Sequence, residues 1–255
     1  MIYLIGAIVL VLFFTGVYVL ALWRNDYSTV DVFWGMAQVV LVSALIITLD
    51  DLSFSHYIFY GAILLWGLRL SWYLYRRNWH KPEDFRYQAM RKKWVKAEKL
   101  QAYLKVFLLQ SGFAFLMGFT AMSLGNEPFR YLGVFIVGLG IFSLGWVFET
   151  LADEQMMAFK ARKKPGEIMT TGVWKLSRHP NYFGEVTAWW GIGLMALAHA
   201  SDWVDGLLFL VSPLIITYLL LGLSGIPLLE KKYENDPAYQ AYKKNTRAFF
   251  PFPKK

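Results

Sequence analysis

Cysteine is absent from this sequence, and charged residues are scarce. Without cysteine the chain can form no disulfide and has no thiolate to act as a nucleophile or a metal ligand. Aspartate, glutamate, lysine and arginine together make up 17% of the residues, whereas a soluble domain carries about 25%. These two shortages argue against a thiol-dependent protein and against an ordinary soluble domain.

Motifs for several familiar sites are also missing. The four histidines are scattered without the spacing of metal ligands, and the sequence has neither a P-loop nor a nucleophile elbow. The glycine-rich segments Gly138–Gly145 and Gly191–Gly193 lie inside apolar runs and follow no strand. We therefore predict no metal site, interpret these glycines as helix-packing positions, and expect any nucleotide to bind without a Rossmann domain.

Long apolar runs dominate what is present. Hydrophobic residues make up 56% of the chain, and runs of about 18 or more apolar residues are candidates for transmembrane helices. The regular alternation of a membrane β-barrel does not appear. We therefore predict an all-α integral membrane protein, a single domain over residues 1–255 with seven transmembrane helices and a tail over 227–255. The helices are expected at 2–22, 30–49, 54–75, 103–124, 129–151, 183–200 and 204–226.

The basic residues predict an orientation. All but two of the 26 lysines and arginines fall on alternate connectors or in the tail, the exceptions being Arg69 and Arg130. The positive-inside rule then predicts an N-out, C-in protein with a basic cytoplasmic face, which we expect in a bacterial inner membrane. Met1 begins an apolar run without a basic segment or cleavage site before it, so we expect the first helix to be retained. The net charge of +8 is attributed to orientation, and we expect membrane lipids as partners, with no nucleic acid and no obligatory protein partner.

One polar motif, LSRHPNYFGE at Leu176–Glu185, stands at the cytoplasmic entry to the sixth helix. Pro180 favours a helix start, and the free backbone amides at such a start suit an anion such as phosphate. Arg178 and His179 add cationic donors just before it. Structural roles are available for Asn181 as an N-cap, Tyr182 as an interface residue and His179 as a headgroup contact. Glu185 is the hardest to explain without a functional role, because it lies a turn into an apolar helix.

Ionisable residues also occur in or beside the second, third and fifth helices. Arg69 and Tyr73 share one face of the third helix, where Arg69 is as suited to an inward ion pair as to snorkelling. Asp31 begins the second helix and is favoured there by the helix dipole. Asp153 and Lys160 share a face where the fifth helix ends, which suits either ribose hydroxyls and phosphate or anionic lipid. The aromatic and basic tail predicts a segment that folds back over a site.

These residues together resemble the DUF1295 family of steroid 5-alpha-reductase-like membrane oxidoreductases. The resemblance is carried by GVWKLSRHPNYFGE with the following WWG, by DEQ and FK after the fifth helix, by DFRY at Asp84–Tyr87, and by the ending YQAYKKNTRAFFPFP. It implies a membrane fold that holds NADPH in a cytoplasm-facing cavity. Hydride from that cofactor would reduce an activated C=C bond of a lipid-like small-molecule substrate.

The resemblance also implies roles for individual residues. The cofactor-binding residues would be Asp153, Lys160, Trp174, Arg178, His179, Asn181, Tyr182, Glu185, Tyr242 and Arg247. Steroid 5-alpha-reductases use a glutamate on helix two and a tyrosine on helix three, and this sequence has Trp66 where that tyrosine is expected. We therefore expect Tyr73 to donate the proton, Asp31 to supply the carboxylate and Arg69 to assist.

Two other functions fit part of the pattern. Membrane methyltransferases of the isoprenylcysteine or phospholipid type share an RHPxYxG-like string and bind S-adenosylmethionine at the same face. They usually carry paired glutamates before the tail, whereas Glu230 is followed here by Lys231. A transporter would line a path with its membrane-depth charges, but the sequence shows no inverted repeat and no paired broken helices.

Overall fold

The computed structural model describes residues 1–223 and 225–252, with the side chain of Lys232 left out of the description. The part of the tail at 253–255 lies outside the described residues. Within these bounds the structure contains helices and no β-strand, which confirms the all-α class. The α-helices, in chain order from α1 to α14, are Ile2–Arg24, Thr29–Val32, Trp34–Thr48, Phe54–Asn78, Phe85–Lys93, Glu98–Ala102, Leu109–Met117, Phe119–Leu124, Leu132–Arg162, Pro180–Leu197, Trp203–Phe209, Val211–Tyr218, Ile226–Lys232 and Pro237–Asn245.

Three shorter helical segments join these α-helices. Two are π-helices, at Tyr103–Leu108 and Leu219–Leu223, and one is a 3₁₀-helix at Gly172–Lys175. The chain divides into two compact units. Unit 1 contains Met1–Arg130 and His199–Val211, and unit 2 contains Tyr131–Ala198 and Ser212–Lys255.

Four helical stretches of the described residues, rather than the seven predicted, are long and apolar enough to cross a membrane. They match the expected spans at 2–22, 103–124, 129–151 and 204–226, and a protein with several such helices belongs in a membrane. The observed stretches are Ile2–Arg24, Glu98–Met117, Leu132–Arg162 and Trp203–Lys231.

The other three predicted spans fall short for different reasons. The span at 30–49 is interrupted at Phe33, and the 15 residues of α3 reach about 22 Å, less than the roughly 30 Å of a bilayer core. Helix α4 has 25 residues, but polar side chains such as His56 and Arg69 lower its mean hydropathy. Helix α10 has 18 residues, and its first turns carry Asn181 and Glu185 in place of apolar residues.

Close packing of α9 against α10 forms the centre of unit 2. Gly145 and Gly184 lie so close to the facing backbone that a Cβ atom would come within 2.3 Å of Ala188 N and 2.4 Å of Glu149 N, respectively. Gly138 and Gly191 are equally crowded one heptad away, with 2.6 Å to Met195 N and 2.3 Å to Phe142 N. The prediction of helix packing is therefore confirmed for Gly138, Gly145 and Gly191, because small residues let two backbones approach closely, whereas Gly140 of the same predicted segment has nothing within 4 Å of an added Cβ atom.

In unit 1, close packing between glycines likewise joins α3 to α4. A Cβ atom on Gly35 would lie 2.4 Å from Gly67 O, and one on Gly67 would lie 2.6 Å from Gly35 O. Ion pairs within the segment after α4 and a hydrogen bond from Tyr27 join this segment to the turn that follows α1. Arg91 pairs with Glu83 at 2.9 Å and with Glu98 at 2.6 Å, and Tyr27 donates a hydrogen bond to Glu98 at 3.0 Å. This network holds α5 close to Tyr27, which lies between α1 and α2.

Candidate functional site

The polar motif of unit 2 opens helix α10 as the sequence predicted. The helix begins at Pro180, and His179 occupies the N-cap position without a side-chain cap. Proline suits this first position because its missing N–H has no partner there in any case. Asn181 lies inside the first turn and is not the N-cap, so that structural interpretation of Asn181 was wrong.

The tail folds back onto the motif, as the sequence predicted. Ser177 and Arg247 form a parallel bridge, and the Arg178 amide donates to Arg247 O at 2.9 Å. The Ser177 hydroxyl donates to Ala248 O at 3.1 Å. The Phe183 ring packs edge-on against Phe249, with 5.5 Å between centroids. Backbone and side-chain contacts thus hold the last described residues of the chain against the start of α10.

Trp174 and Tyr242, both predicted to bind the cofactor, are buried and bonded to backbone. The Trp174 indole N–H donates to Ala152 O at 3.0 Å, which ties the 3₁₀-helix to α9. The Tyr242 hydroxyl donates to Trp174 O and to Ser177 O. Burial raises the pKa of Tyr242, so the phenol remains a donor at neutral pH. Gln155 assists by accepting a hydrogen bond from the Val173 amide at 3.0 Å.

Arg178 is engaged by an acid that the sequence did not indicate. Its Nε and Nη2 atoms donate to Glu230 Oε1 at 2.9 and 2.5 Å, and its Nη1 donates to Thr246 O at 2.5 Å. Lys243 Nζ lies 2.8 Å from the other oxygen of Glu230. The Arg178 side chain is 7% exposed and that of Glu230 is 14% exposed. The motif arginine therefore also fastens α13 and the tail to the start of α10.

His179 is not the cationic donor that the sequence suggested. Its ring is 4% exposed, and burial, only partly opposed by Glu230, lowers the pKa of His179 to about 4. The ring is therefore neutral near pH 7. It stacks on Tyr182 with 5.6 Å between centroids and an angle of 8°, and its Nε2 atom lies 3.4 Å from Glu230 Oε1.

The remaining predicted cofactor residues divide into buried acids and more accessible groups. Asp153 and Glu185 are 3% and 8% exposed, whereas Lys160 and Arg247 are exposed and Asn181 is half-buried. Glu149, one turn before Asp153, is 1% exposed and lies where α9 and α10 touch at Gly184. No group of three histidine, aspartate or glutamate side chains among the described residues could hold a metal ion.

A cavity of ≈ 490 Å³ also lies in unit 2, after the end of α9. Its volume is within the range of about 300–1,000 Å³ that is usual for small-molecule sites. Phe159 lies at its wall, but none of the ten predicted cofactor residues does. It is lined by Phe159, Arg162, Lys164, Glu167, Ile168, Met169, Thr170 and Thr171.

The three predicted catalytic residues all lie in unit 1. Asp31 in α2 accepts a hydrogen bond from Tyr87 at 2.7 Å and pairs with Arg86 at 2.8 Å. Tyr73 in α4 is buried and accepts a 3.4 Å hydrogen bond from Arg77. Arg69 lies on the same helix, half-buried. The carboxylate of Asp31 thus bonds to the arginine and tyrosine of the DFRY motif.

Two comparisons place the chain among known sequences. The family described as "Protein of unknown function (DUF1295)" matches residues 17–246. A relative from Schizosaccharomyces pombe, "Uncharacterized protein C594.04c", is 26% identical over 91% of this chain and 74% of its own length. No solved structure matches the chain. Since the family match covers most of the sequence, this protein belongs to the DUF1295 family.

Proposed function

We propose that the protein is a membrane-embedded NADPH-dependent reductase that acts on an activated, enone-type C=C bond of a steroid-like or other lipid substrate. The observation that carries this proposal is the composition of unit 2 around the motif. Buried acids, exposed cations and aromatic rings occur there together, and the tail is fastened over the start of α10. The family resemblance of the motif supports the same conclusion.

The residues fit a dinucleotide. Carboxylates such as Asp153 and Glu185 would accept hydrogen bonds from ribose hydroxyls, and Asn181 could both donate and accept one. Lys160 and Arg247 would pair with phosphate oxygens. Trp174 and Tyr182 would provide aromatic rings beside the flat groups of the cofactor. When bound, the nicotinamide would supply a hydride to the substrate.

In this proposal Tyr73, Asp31 and Arg69 would polarise the substrate and supply its proton. The hydroxyl of Tyr73, donating to the substrate oxygen, stabilises the negative charge that develops there as hydride reaches the β carbon. Asp31 would supply the carboxylate, and Arg69 would assist. The proton finally reaches the α carbon, so the double bond gains one hydride and one proton.

The proposed orientation puts the loop after α9 and the tail in the cytoplasm, because basic residues favour that side of a bacterial inner membrane. NADPH would then enter from the cytoplasm, and the substrate would come from the lipid phase. Membrane lipids surround the protein in this proposal, and neither nucleic acid nor a second protein takes part.

Thermal stabilisation tests the cofactor directly. The purified protein in detergent is heated with NADPH, NADH or S-adenosylmethionine, since a ligand that binds only the folded state raises Tm. We expect NADPH to raise Tm and S-adenosylmethionine to leave it unchanged. Stabilisation by S-adenosylmethionine without a response to either nicotinamide dinucleotide would contradict the reductase proposal.

A methyltransferase that uses S-adenosylmethionine is the second candidate, because Glu230 contacts the motif. An acid next to the motif suits a cationic methyl donor, and the methyltransferases that share the motif usually carry glutamates at this point. The two cations that pair with Glu230 count against this candidate. The same thermal experiment decides between the two.

A further inference from the structure

The cluster around Glu230 contains more positive than negative charge. Arg178 and Lys243 both pair with this carboxylate, at 2.5 and 2.8 Å, and His179 Nε2 lies 3.4 Å from it. Since His179 is neutral, two cations face one anion and the cluster has an excess of one positive charge. The interaction is largely buried at Arg178, which is 7% exposed, and opens to solvent at Lys243, which is 47% exposed.

The hydrogen-bond donors of this cluster, a guanidinium and an ammonium group, are of the kinds that bind phosphate in proteins. Two adjacent guanidinium N–H groups match the oxygens of a carboxylate and of a phosphate equally well. An ammonium group completes the set as a point charge. The pyrophosphate of a dinucleotide bears two negative charges, which would balance Arg178 and Lys243 where Glu230 alone does not.

We propose that the Glu230 carboxylate occupies a binding site for a phosphate or pyrophosphate group, and that this anion displaces Glu230 from Arg178 and Lys243. The dinucleotide as the source of the pyrophosphate rests on the proposed function, whereas the anion site does not. Glu230 is then an internal competitor that lowers the affinity for the ligand. Displacement also frees α13 from the start of α10, so binding and the release of this helix are coupled.

Competition predicts that removing the charge of Glu230 tightens anion binding. Affinities for inorganic pyrophosphate and for NADPH are measured on the full-length protein and on Glu230→Gln. Glutamine keeps one hydrogen-bond acceptor for Arg178 but no longer neutralises it. We expect pyrophosphate to bind Glu230→Gln about 10-fold more tightly, since charge-assisted bonds are about twice as strong as neutral ones.

Two further variants make the comparison specific. Glu234→Gln changes the charge equally at an exposed position of the same segment, and it should bind pyrophosphate like the wild type. Lys243→Gln should weaken pyrophosphate binding about 10-fold, because one of the two cations is lost. Unchanged or weaker pyrophosphate binding by Glu230→Gln would overturn the proposal.

Hydrogen exchange provides a test that needs no variant, in case Glu230→Gln does not fold. Saturating pyrophosphate should accelerate amide exchange in Ile226–Lys232 of the wild type, since that helix loses its contact with the motif. Unchanged or slower exchange there at saturation would refute the displacement.

The two ligands also separate this proposal from the reductase function. If Glu230→Gln tightens pyrophosphate binding but neither protein binds NADPH, the anion site stands and the reductase proposal fails. If both proteins bind NADPH equally and pyrophosphate binding is unchanged, the reductase proposal stands and the displacement of Glu230 is wrong.

Discussion

Glu185 lies one turn inside α10 and keeps only 8% of its surface exposed. A buried carboxylate loses its hydrogen bonds to water, and the folded protein has to replace them. Such a residue is therefore expected where it contributes to a structure or a function. Gly184 and Val186 beside it in the sequence are small or apolar, and Asn181 lies on the same face of the helix, four residues earlier. The sequence alone marked this residue as the least explicable of the motif, and its burial strengthens that interpretation.

The first prediction at the residue scale concerns Glu185. Glu185→Gln keeps the shape of the side chain and removes its charge, so we expect a folded protein with at least about 10-fold weaker NADPH binding, the usual effect of losing a charge-assisted hydrogen bond. We expect Asn181→Ala to weaken NADPH binding as well. Thermal stabilisation by NADPH measures both.

Glu154→Gln is the matched control for this experiment. It removes an equal charge from an exposed position of α9 and should respond to NADPH like the wild type. If Glu185→Gln and Asn181→Ala also respond like the wild type, the cofactor site has been assigned to the wrong residues.

At the scale of elements, the contact between helices α9 and α10 decides which residues of the two helices face each other. Four glycines, two on each helix and one heptad apart, bring the two backbones together, and this contact holds Glu149 on one helix beside Gly184 on the other. The sequence indicated that Gly138, Gly145 and Gly191 pack helices but not Gly184, and the facing pairs follow from the register of the two helices. That register depends on all the side chains along the interface.

A matched pair of alanine substitutions tests this packing. Gly145→Ala should destabilise unit 2 by about 1–3 kcal/mol, because its Cβ atom would overlap the α10 backbone. Gly140 lies in the same helix, and a Cβ atom added there has nothing within 4 Å. Gly140→Ala should therefore leave the stability unchanged or raise it by up to about 1 kcal/mol. Unfolding in detergent measures both, and equal effects would contradict the close contact.

At the scale of the whole molecule, the membrane orientation remains a prediction from charge. The absence of native cysteine makes single-cysteine variants specific probes of it. Asn126 precedes α9 and Lys164 follows it, and both are exposed. Helix α9 is among the stretches that are able to cross a membrane, so the two positions should lie on opposite faces.

The expected result follows from the positive-inside rule. In intact cells a maleimide that does not cross the membrane should label Asn126→Cys and leave Lys164→Cys unlabelled until the cells are broken. The reverse pattern would show that the basic face points outward. Labelling of both in intact cells would show that α9 does not cross.

The sequence by itself determined the class of this protein and the start of α10, and it showed where polar residues crowd into one motif. Apolar run length, the fixed backbone angle of Pro180 and the crowding of polar residues are local properties, so they can be read along the chain. The number of spans could not be counted this way. Polar residues in α4 and α10 and the break at Phe33 leave four long apolar stretches among the described residues.

Only the tertiary structure decided the partners of the motif. Arg178 and His179 looked like free cations in the sequence, yet one is paired with Glu230 and the other is neutral. Glu230 stands 52 positions from Arg178, and Asp31 stands 56 positions from Tyr87. Pairs at such separations have no local signal, because they depend on how helices pack and where loops return. Burial likewise depends on the whole surrounding fold, so the pKa of His179 follows from the packed protein.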